Sequence, residues 1–354
     1  MFVLVGLPVE EDVPQPTEDL IQEDYGVNCS RISLPSFTGV SLEGIVNQVE
    51  RLNLLEKSCE GLFKTFMGYS RTCRIAKEVE CDSIENAGNF LRWDNQNFPT
   101  NSIDKAILLL DGEYGRVYKA YEEKVEEFGD ARKECEKLQK LTRGSLCDIN
   151  LNIIVGKAEK YEFLKVLYVV VQKSKSSEFN RVVEDSPHIS GDAVEKINSD
   201  EDHNLFKIYI LHQGEEEVRN MMHSEGFLIK DLDDNMISSE EMITKRRKAE
   251  ERFSAVERLL TTFLQINLKE VLKILVHVKL LKLFVESVYR YGLPTEYMFF
   301  VTSGEKSNIL SQWITIAKNW PSDRIVYEED GDNNEEGEIF FAFSEIEMHR
   351  EEEE

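Results

Sequence analysis

The sequence lacks the cysteine pairs and the charge-free apolar runs that mark metal-binding and membrane-spanning proteins. Its six cysteines form no C-x-x-C pair, and no histidine follows them at zinc-finger spacing, so no metal site is expected. Cysteines used in this way in a chain of 354 residues indicate reduced thiols in a cytosolic protein. No window of about 18 residues is free of charge, which argues against a membrane-spanning helix.

Basic residues are scarce. The chain has 42 Lys and Arg against 67 Asp and Glu, a net charge of −25, which argues against nucleic acid as a partner. The acidity is uneven, because residues 328–354 carry 13 acids and only Arg350 as a base. We interpret the last residues, 347–354, as a solvated acidic tail.

Catalytic motifs are also missing. The stretch LDGEYGRVYKA resembles the phosphate-covering loop of protein kinases at Gly112, Gly115 and Val117. A kinase would also need a further glycine, a strand lysine, an H-R-D loop and a D-F-G metal site, and none of these follows. A degenerate nucleotide binder therefore remains only a minor alternative. We expect no catalytic, cofactor-binding or metal-binding residues, and hence no enzyme.

Two long segments with helical periodicity are present. One starts at Tyr114 and the other at Ser239, with Ser238 and Glu241 as a capping box for the second. Each arm is about 26 to 28 residues, or roughly 40 Å, long. Arms of similar length can bury their apolar stripes on each other, so they predict an antiparallel pair.

The sequence between the arms consists of short apolar runs and lacks the long helical periodicity of the arms. FLKVLYVVVQK, LFKIYILH and FLIKDLD read as strands, the first nearly all apolar and therefore central, and EEEVRNMMHSEG reads as a short helix. These elements predict a small mixed α/β or α+β lobe. Met221 and Met222 on its helix are candidate partner-binding residues, although lining the core of the lobe is the more frequent role of such a pair.

The segment VHVKLLKLFVESVYRYGLP, residues 276–294, follows the second arm. Asn267 and Glu270 predict a capping box ahead of it, and Gly292 and Pro294 predict its end. Its polar residues lie on one side in the first half and on nearly the opposite side in the second half. A helix on the surface of a protein has its polar residues along one solvent-exposed face. The pattern here therefore indicates the central helix of a domain. His277, among apolar neighbours, is most simply a hydrogen-bonded structural histidine.

Both ends of the chain contain apolar strands, Phe2 to Leu7 and EIFFAFSEIE, which we expect to share one sheet. The sequence thus predicts an α+β, predominantly helical fold with an elongated foot–neck–head layout. The foot comprises residues 1–113 and 267–346, the neck helices 114–147 and 238–266, the inserted head 148–237, and the acidic tail 347–354.

The stretch HVKLLKLFVESVYRYGLP resembles the signature helix of the C subunit of the V-type proton ATPase. Other stretches resemble the same family in the same order: FVLVGLP, SLEGIVNQVERL, RWDNQNFP, TRGSLCDI, VLYVVVQK and EGFLIKDLDDN. The sequence departs from the family at Leu275, where a tryptophan is expected, and at Leu232, where an aromatic residue is expected.

The resemblance implies a non-catalytic stator connector of a rotary proton pump, peripheral on the cytosolic face of vacuolar or other endomembranes. Its implied partners are the stalk heterodimers of the E and G subunits and the cytosolic domain of the membrane a-subunit, and some members take part in reversible assembly. It implies neither direct membrane insertion nor an obligate homo-oligomer. Trp93 in RWDNQNFP is a candidate partner contact, with a packed loop anchor as the simpler alternative.

The helical arms taken alone fit a second function, a coiled-coil tether or scaffold of vesicle traffic. Such a protein would self-associate through the arms, whereas arms paired within one chain predict a monomer.

Overall fold

The computed structural model describes residues 1–10, 13–72, 91–156, 161–232, 239–325 and 341–346. They form a predominantly helical α+β fold with two four-stranded antiparallel sheets, which confirms the predicted fold class. The chain divides into two compact units: unit 1 comprises residues 1–123 and 261–354, and unit 2 comprises residues 124–260. The finer division into foot, neck, head and tail stays a prediction.

The sheet of unit 1 joins the two ends of the chain. Its strand order is β2-β7-β1-β8, with β1 at Phe2–Pro8, β2 at Cys29–Ile32, β7 at Tyr297–Ser303 and β8 at Ala342–Ile346. Strand β1 pairs antiparallel with β8, from Phe2 opposite Ile346 to Gly6 opposite Ala342. The expected pairing of the terminal strands is therefore confirmed.

Three of the described helices lie wholly in unit 1: α1 (Glu18–Tyr25), α2 (Leu42–Thr72) and α8 (Lys306–Lys318). Ser41 caps α2, since its Oγ accepts a hydrogen bond from the Gly44 N–H at 3.2 Å. Helix α1 was not predicted from the sequence. Thr17 caps that helix by accepting from the Leu20 N–H, and two acids occupy its first turn.

Two long helices pass from one unit to the other: α3 (Ile103–Arg143) and α7 (Ser239–Tyr291). The expected helix start at Asn267 is wrong, because α7 continues through it and the Asn267 side chain donates to the Phe263 carbonyl. No glycine or proline occurs in α7, so nothing interrupts its hydrogen-bond ladder. Similarly, α3 is one helix from Ile103 onward. Ser238 of the other proposed capping box lies outside the described residues.

Within unit 2 the two long helices pack as an antiparallel pair. The rings of Phe128 and Phe253 are 5.4 Å apart, and Arg252 donates to Glu134 at 2.9 Å. Farther along α3, Gln139 donates to Glu250 at 3.5 Å. The residue numbers of these partners fall along α7 as they rise along α3. This order confirms the predicted antiparallel packing for this part of the arms.

The sheet of unit 2 has the order β4-β5-β3-β6, with β3 at Leu164–Gln172, β4 at Ile189–Ser199, β5 at His203–Leu211 and β6 at Leu228–Lys230. Strand β3 is an inner strand, as expected. Three short helices complete the unit: α4 (Leu151–Val155), α5 (Ser176–Asp185) and α6 (Glu215–Ser224). The succession β3-α5-β4-β5-α6-β6 with this strand order is the split β-α-β arrangement of ferredoxin-like folds. Helix α5 and strand β4 were not predicted from the sequence.

Candidate functional site

The part of α7 from Val271 to Val288 is buried on all sides in unit 1. From Val271 to Val288 only Lys273, Lys282 and Glu286 are even half-exposed. This burial confirms that the segment is a central helix, and it leaves three polar side chains in the interior: His277, Lys279 and Ser287. Each must be paired, because an unpaired buried polar group is costly.

Lys279 lies in an ion-paired cluster with two acids of α2. Its Nζ is 2.8 Å from Glu56 Oε1 and 2.7 Å from Glu60 Oε1, and Lys282 also donates to Glu56. Burial by itself would raise the pKa of Glu56, but the hydrogen bonds and charges of both lysines outweigh it and hold the pKa below its ordinary value. Burial likewise opposes the charge of Lys279, yet the two carboxylates raise its pKa. Glu56 and Lys279 are therefore both ionised at neutral pH.

A cavity of about 450 Å³ lies beside this cluster. It is bordered by Glu56, Glu60, Phe63, Lys64, Leu275, Lys279, Lys282, Glu286, Phe343, Ser344 and Glu345. Lys279 and Lys282 border the cavity, and both are already paired with carboxylates. This part of its lining therefore offers balanced charge and no activated nucleophile or base.

His277 holds the loop containing Trp93 and Phe98 against α7. Its Nε2 accepts from the Asp94 backbone N–H at 2.9 Å, and its Nδ1 lies 2.6 Å from the Lys273 carbonyl. Since an amide N–H can only donate, Nε2 carries no proton and Nδ1–H is the donor to Lys273. Both ring nitrogens are used, which confirms the structural histidine.

Protonation of His277 should weaken this attachment. Burial lowers the pKa of His277 in the folded chain below its ordinary value of 6.5. The unfolded chain therefore binds more protons as the pH falls below about 6.5, and stability should fall with it. Urea titrations at several pH values measure the free energy of unfolding. It should fall less steeply with decreasing pH in His277→Gln than in the parent. The difference in slope for one group cannot exceed ~1.4 kcal/mol per pH unit.

The matched control for that experiment is His223→Gln, because His223 is exposed on α6. As a surface substitution it should change the free energy of unfolding little at neutral pH. An unaltered decline in His277→Gln would show that the histidine is not the titrating group.

The end of the segment is fixed to three other parts of unit 1. The Tyr291 hydroxyl donates to the Gly6 carbonyl at 3.1 Å and accepts from the Ala342 N–H at 3.0 Å. Arg324 donates to the carbonyls of Pro294 at 2.8 Å and of Val9 at 2.7 Å. Residues far apart in sequence thus converge on the final turn of α7 and on the residues just after it.

These contacts place the stretches FVLVGLP and RWDNQNFP around the buried segment in one unit, together with the helix α2 that SLEGIVNQVERL begins. With that geometry established, comparison with known proteins is informative. A family model described as the V-ATPase C subunit matches residues 2–317. The chain belongs to the V-ATPase C-subunit family.

Relatives carry the same family name at low identity. The V-type proton ATPase C subunit 2 of Ascidia sydneiensis samea is 23% identical over 328 residues, covering 87% of this chain and 85% of that protein. The C subunit of Manduca sexta is 23% identical over 316 residues, covering 84% and 81%. The C subunit 1 of Mus musculus is 22% identical over 336 residues, covering 87% and 85%. These names describe a subunit of a V-type proton ATPase.

A solved structure was also matched, the cytoplasmic N-terminal domain of the I-subunit of V-ATPase, a homolog of the a-subunit. It is 13% identical, and the match covers 90% of this chain and 98% of the other. Its TM-score of 0.30 is too low to support any argument.

The proposed partner-binding residues of this V-ATPase C-subunit family member lie in different places. Met222 is fully buried in the core between the unit 2 sheet and its helices, and Met221 is partly buried against that core. Trp93 is 6% exposed, and its indole N–H donates to the Phe98 carbonyl at 3.2 Å. A partner contact at any of the three stays a prediction.

The kinase-like stretch is not a loop, since Gly112 and Gly115 lie inside α3. In the described ranges no cluster of His, Cys, Asp or Glu is arranged to hold a metal ion. None of the helices described combines the length and apolarity that a bilayer span requires.

Replacing either helical glycine should therefore stabilise the protein. A Cβ at Gly112 or Gly115 meets no atom within 4 Å. Each alanine should raise the free energy of unfolding by ~0.5–1 kcal/mol, because glycine loses more backbone entropy in a helix. Gly26→Ala is the control of opposite sign, since Gly26 has φ +68° and alanine there is strained. Thermal unfolding measures all three, and destabilisation by Gly112→Ala would contradict a helix at this position.

The partners of the buried lysine and the anchoring arginine were not predicted from the sequence. A lysine predicted in the interior requires an acid, and Glu56 and Glu60 are spaced to share one helix face. Nothing local selects them from the many other acids of α2 and α3. The anchoring role of Arg324 could not be inferred from the sequence. Most of its hydrogen bonds are to backbone carbonyls, which every residue type carries.

Proposed function

We propose that this chain is the non-catalytic connector of the stator of a V-type proton ATPase. It bridges stalk heterodimers of the E and G subunits and the cytosolic domain of the membrane a-subunit, and it is peripheral on the cytosolic face of the endomembrane. The observation that carries the proposal is the family match over residues 2–317.

The internal construction of each unit supports a mechanical role. Each unit has its own four-stranded sheet and its own buried core, so each can present a surface without support from the other. Both connections between the units are uninterrupted helices, α3 and α7, whose backbone hydrogen bonds leave no unstructured link in the chain. A part that transmits torque needs such connections, whereas a catalyst needs a convergent polar site.

The test is binding of the full-length protein to purified E–G heterodimer and to the cytosolic domain of the a-subunit. Analytical ultracentrifugation should show complexes with both. If neither complex forms at concentrations of tens of micromolar, the connector function is wrong.

The same experiment separates the second function, a coiled-coil tether. In unit 2 the stripes of α3 and α7 are already buried on each other, as the Phe128–Phe253 contact shows. The protein alone should therefore sediment as a monomer. Concentration-dependent dimers would favour the tether.

A role in reversible assembly is a further part of the proposal. It requires that the bound chain be released without unfolding. Protein recovered from disassembled pumps should rebind E–G heterodimer with the affinity of freshly purified protein. Recovered protein that no longer binds would remove this part of the proposal and leave the connector function in place.

A further inference from the structure

Two segments of unit 2 concentrate positive charge in an otherwise acidic chain. Residues 137–143 of α3 and 243–249 of α7 contain seven Lys and Arg and no Asp or Glu. We define the basic belt as Lys137, Lys140, Arg143, Lys245, Arg246, Arg247 and Lys248. The chain as a whole has a net charge of −25, so the belt is opposite in sign to its surroundings. Clustered bases of this kind are typical of a surface that meets an anionic partner.

The two segments lie at the same level of the antiparallel helix pair. Residue numbers along two antiparallel helices change in opposite directions, so one contact between them gives the register. Arg252 donates to Glu134 at 2.9 Å, and counting on from this contact places Lys140 opposite Arg246, to within about one turn. The bases of α3 therefore lie beside those of α7, and the belt belongs to both helices.

Most of the belt is not neutralised by the chain itself. Elsewhere on α3 a base pairs with an acid one turn away, as Arg132 does with Glu136 at 2.8 Å. Within the belt, only Arg246 and Arg247 have a carboxylate within 4 Å among the residues that the structure describes. The other five members are exposed: Lys137, Lys140, Arg143, Lys245 and Lys248. Their charges are available to a partner.

The arrangement works against the stability of the helix pair. Bases at one level of two facing helices repel each other. The Arg246 side chain is only 10% exposed, and its Nε lies 3.6 Å from Glu250 and has no hydrogen-bond partner in the described part of the chain. Burial leaves its charge poorly screened by water and salt. Charges that are costly within the chain point to an anion supplied from outside.

The shape of the belt favours an extended polypeptide over a bilayer or a small anion. The belt covers about 9 Å along each helix and lies on the outside of the pair. Exposed acids lie directly beside it, at Glu134 and Glu136 on α3 and at Glu251 on α7. A flat anionic bilayer would contact these acids as well, and sites for small molecules are concave. An extended acidic chain that crosses the two helices contacts the bases and avoids the acids.

We propose that the basic belt binds an extended segment rich in Asp and Glu, contributed by another protein. Each exposed base supplies a modest attraction, so the affinity comes from several pairs together and falls as salt is raised. The inference goes beyond the proposed function and does not depend on it.

The test is titration of the full-length protein with a fluorescent polyglutamate peptide, followed by anisotropy at about 50 mM salt. A peptide of about 12 residues spans roughly 40 Å when extended, enough to cross a helix pair about 20 Å wide. Lys140→Gln/Arg143→Gln/Lys248→Gln, the belt variant, should weaken binding about tenfold or more. Its thermal stability should match or exceed that of the parent, because the substitutions relieve repulsion.

The matched control is Lys57→Gln/Lys105→Gln/Lys119→Gln. These three lysines are exposed on helices of unit 1, and none has an ion pair with another described residue. The control changes the net charge by the same amount as the belt variant. It should bind the peptide within about twofold of the parent, because charges more than a Debye length from the peptide are screened.

Several outcomes would overturn the inference. One is a parent that binds no peptide, and another is an equal loss of binding in the belt variant and the control. Marked destabilisation of the belt variant would show that the bases serve the fold.

The remaining outcomes identify a different occupant. Vesicles of phosphatidylserine and phosphatidylcholine that bind the parent but not the belt variant, in the absence of peptide binding, would identify a membrane. Peptide binding that becomes about tenfold tighter in Glu351→Gln/Glu352→Gln/Glu353→Gln/Glu354→Gln would identify the acidic tail of this chain or of a second copy. Either result overturns a partner protein as the occupant.

Discussion

Glu56→Ala should lower the free energy of unfolding by about 3 kcal/mol, the lower end of the range for breaking a buried ion pair. The side chains of Glu56 and Lys279 are 13% and 5% exposed, so water replaces little of the lost attraction. Glu60 still pairs with Lys279 after the substitution, and Lys282 at 30% exposure can reach solvent, which keeps the loss from being larger. Chemical denaturation at neutral pH measures the change.

Two comparisons identify burial as the cause. Glu60→Ala should cost less than Glu56→Ala, because Glu60 is 38% exposed and contacts Lys279 alone in this cluster. Glu136→Ala removes the exposed pair with Arg132 and should lower the free energy of unfolding far less than Glu56→Ala does. Equal losses in Glu56→Ala and Glu136→Ala would show that the buried cluster does not stabilise unit 1.

The same cluster predicts the sign of the coupling free energy between two substitutions. Glu56→Ala/Lys279→Met should be less destabilising than the sum of its two single changes, since the second removes the charge that the first leaves poorly paired. Additive losses would mean that Glu56 and Lys279 act independently, against the 2.8 Å contact between them.

The central helix of unit 1 could be predicted because its polar residues change side, a pattern that needs no knowledge of its neighbours. The pairing of β1 with β8 followed from two apolar segments that each needed a partner. The contacts of Lys279 could not be predicted, because Glu56 and Glu60 are more than 200 residues away in sequence. Long-range partners depend on packing that no local pattern encodes.

Two of the missed elements, α1 and β4, have a common cause. Helix α1 is short and strand β4 is polar. Neither has enough regularly spaced apolar residues to be recognised from the sequence, and each depends on tertiary contacts. In α1 only Ile21 is buried. The error at Asn267 was of the opposite kind. A capping-box pattern predicts a helix start only where the backbone leaves its N–H groups free, and in α7 the preceding turn already uses them.

The candidate binding surface shows a related limit. Met221, Met222 and Trp93 were chosen from residue type, and two of them are buried in the chain's own cores. Which side chains share a face is known only from the register, as for Leu164 and Leu211, which lie opposite each other in β3 and β5. Residue type alone does not distinguish an interface from a core.

Gly6→Ala should destabilise unit 1 by ~1–3 kcal/mol through overpacking. A Cβ at this position would lie 2.5 Å from Ser287 Oγ and 3.0 Å from Phe299 Cε1. Both neighbours are buried, and Gly6 lies in β1 between β7 and β8, so neither the strand nor α7 can move away cheaply.

The matched control is Gly61→Ala, whose Cβ would meet no atom within 4 Å on helix α2 and which should stabilise by ~0.5–1 kcal/mol. Ser287→Ala removes the nearer of the two clashing atoms. Gly6→Ala/Ser287→Ala should therefore recover part of the loss, but not all of it, because Phe299 remains. If Gly6→Ala is neutral, or if Ser287→Ala recovers nothing, strand β1 and the central helix are not in the close contact from which the loss was inferred.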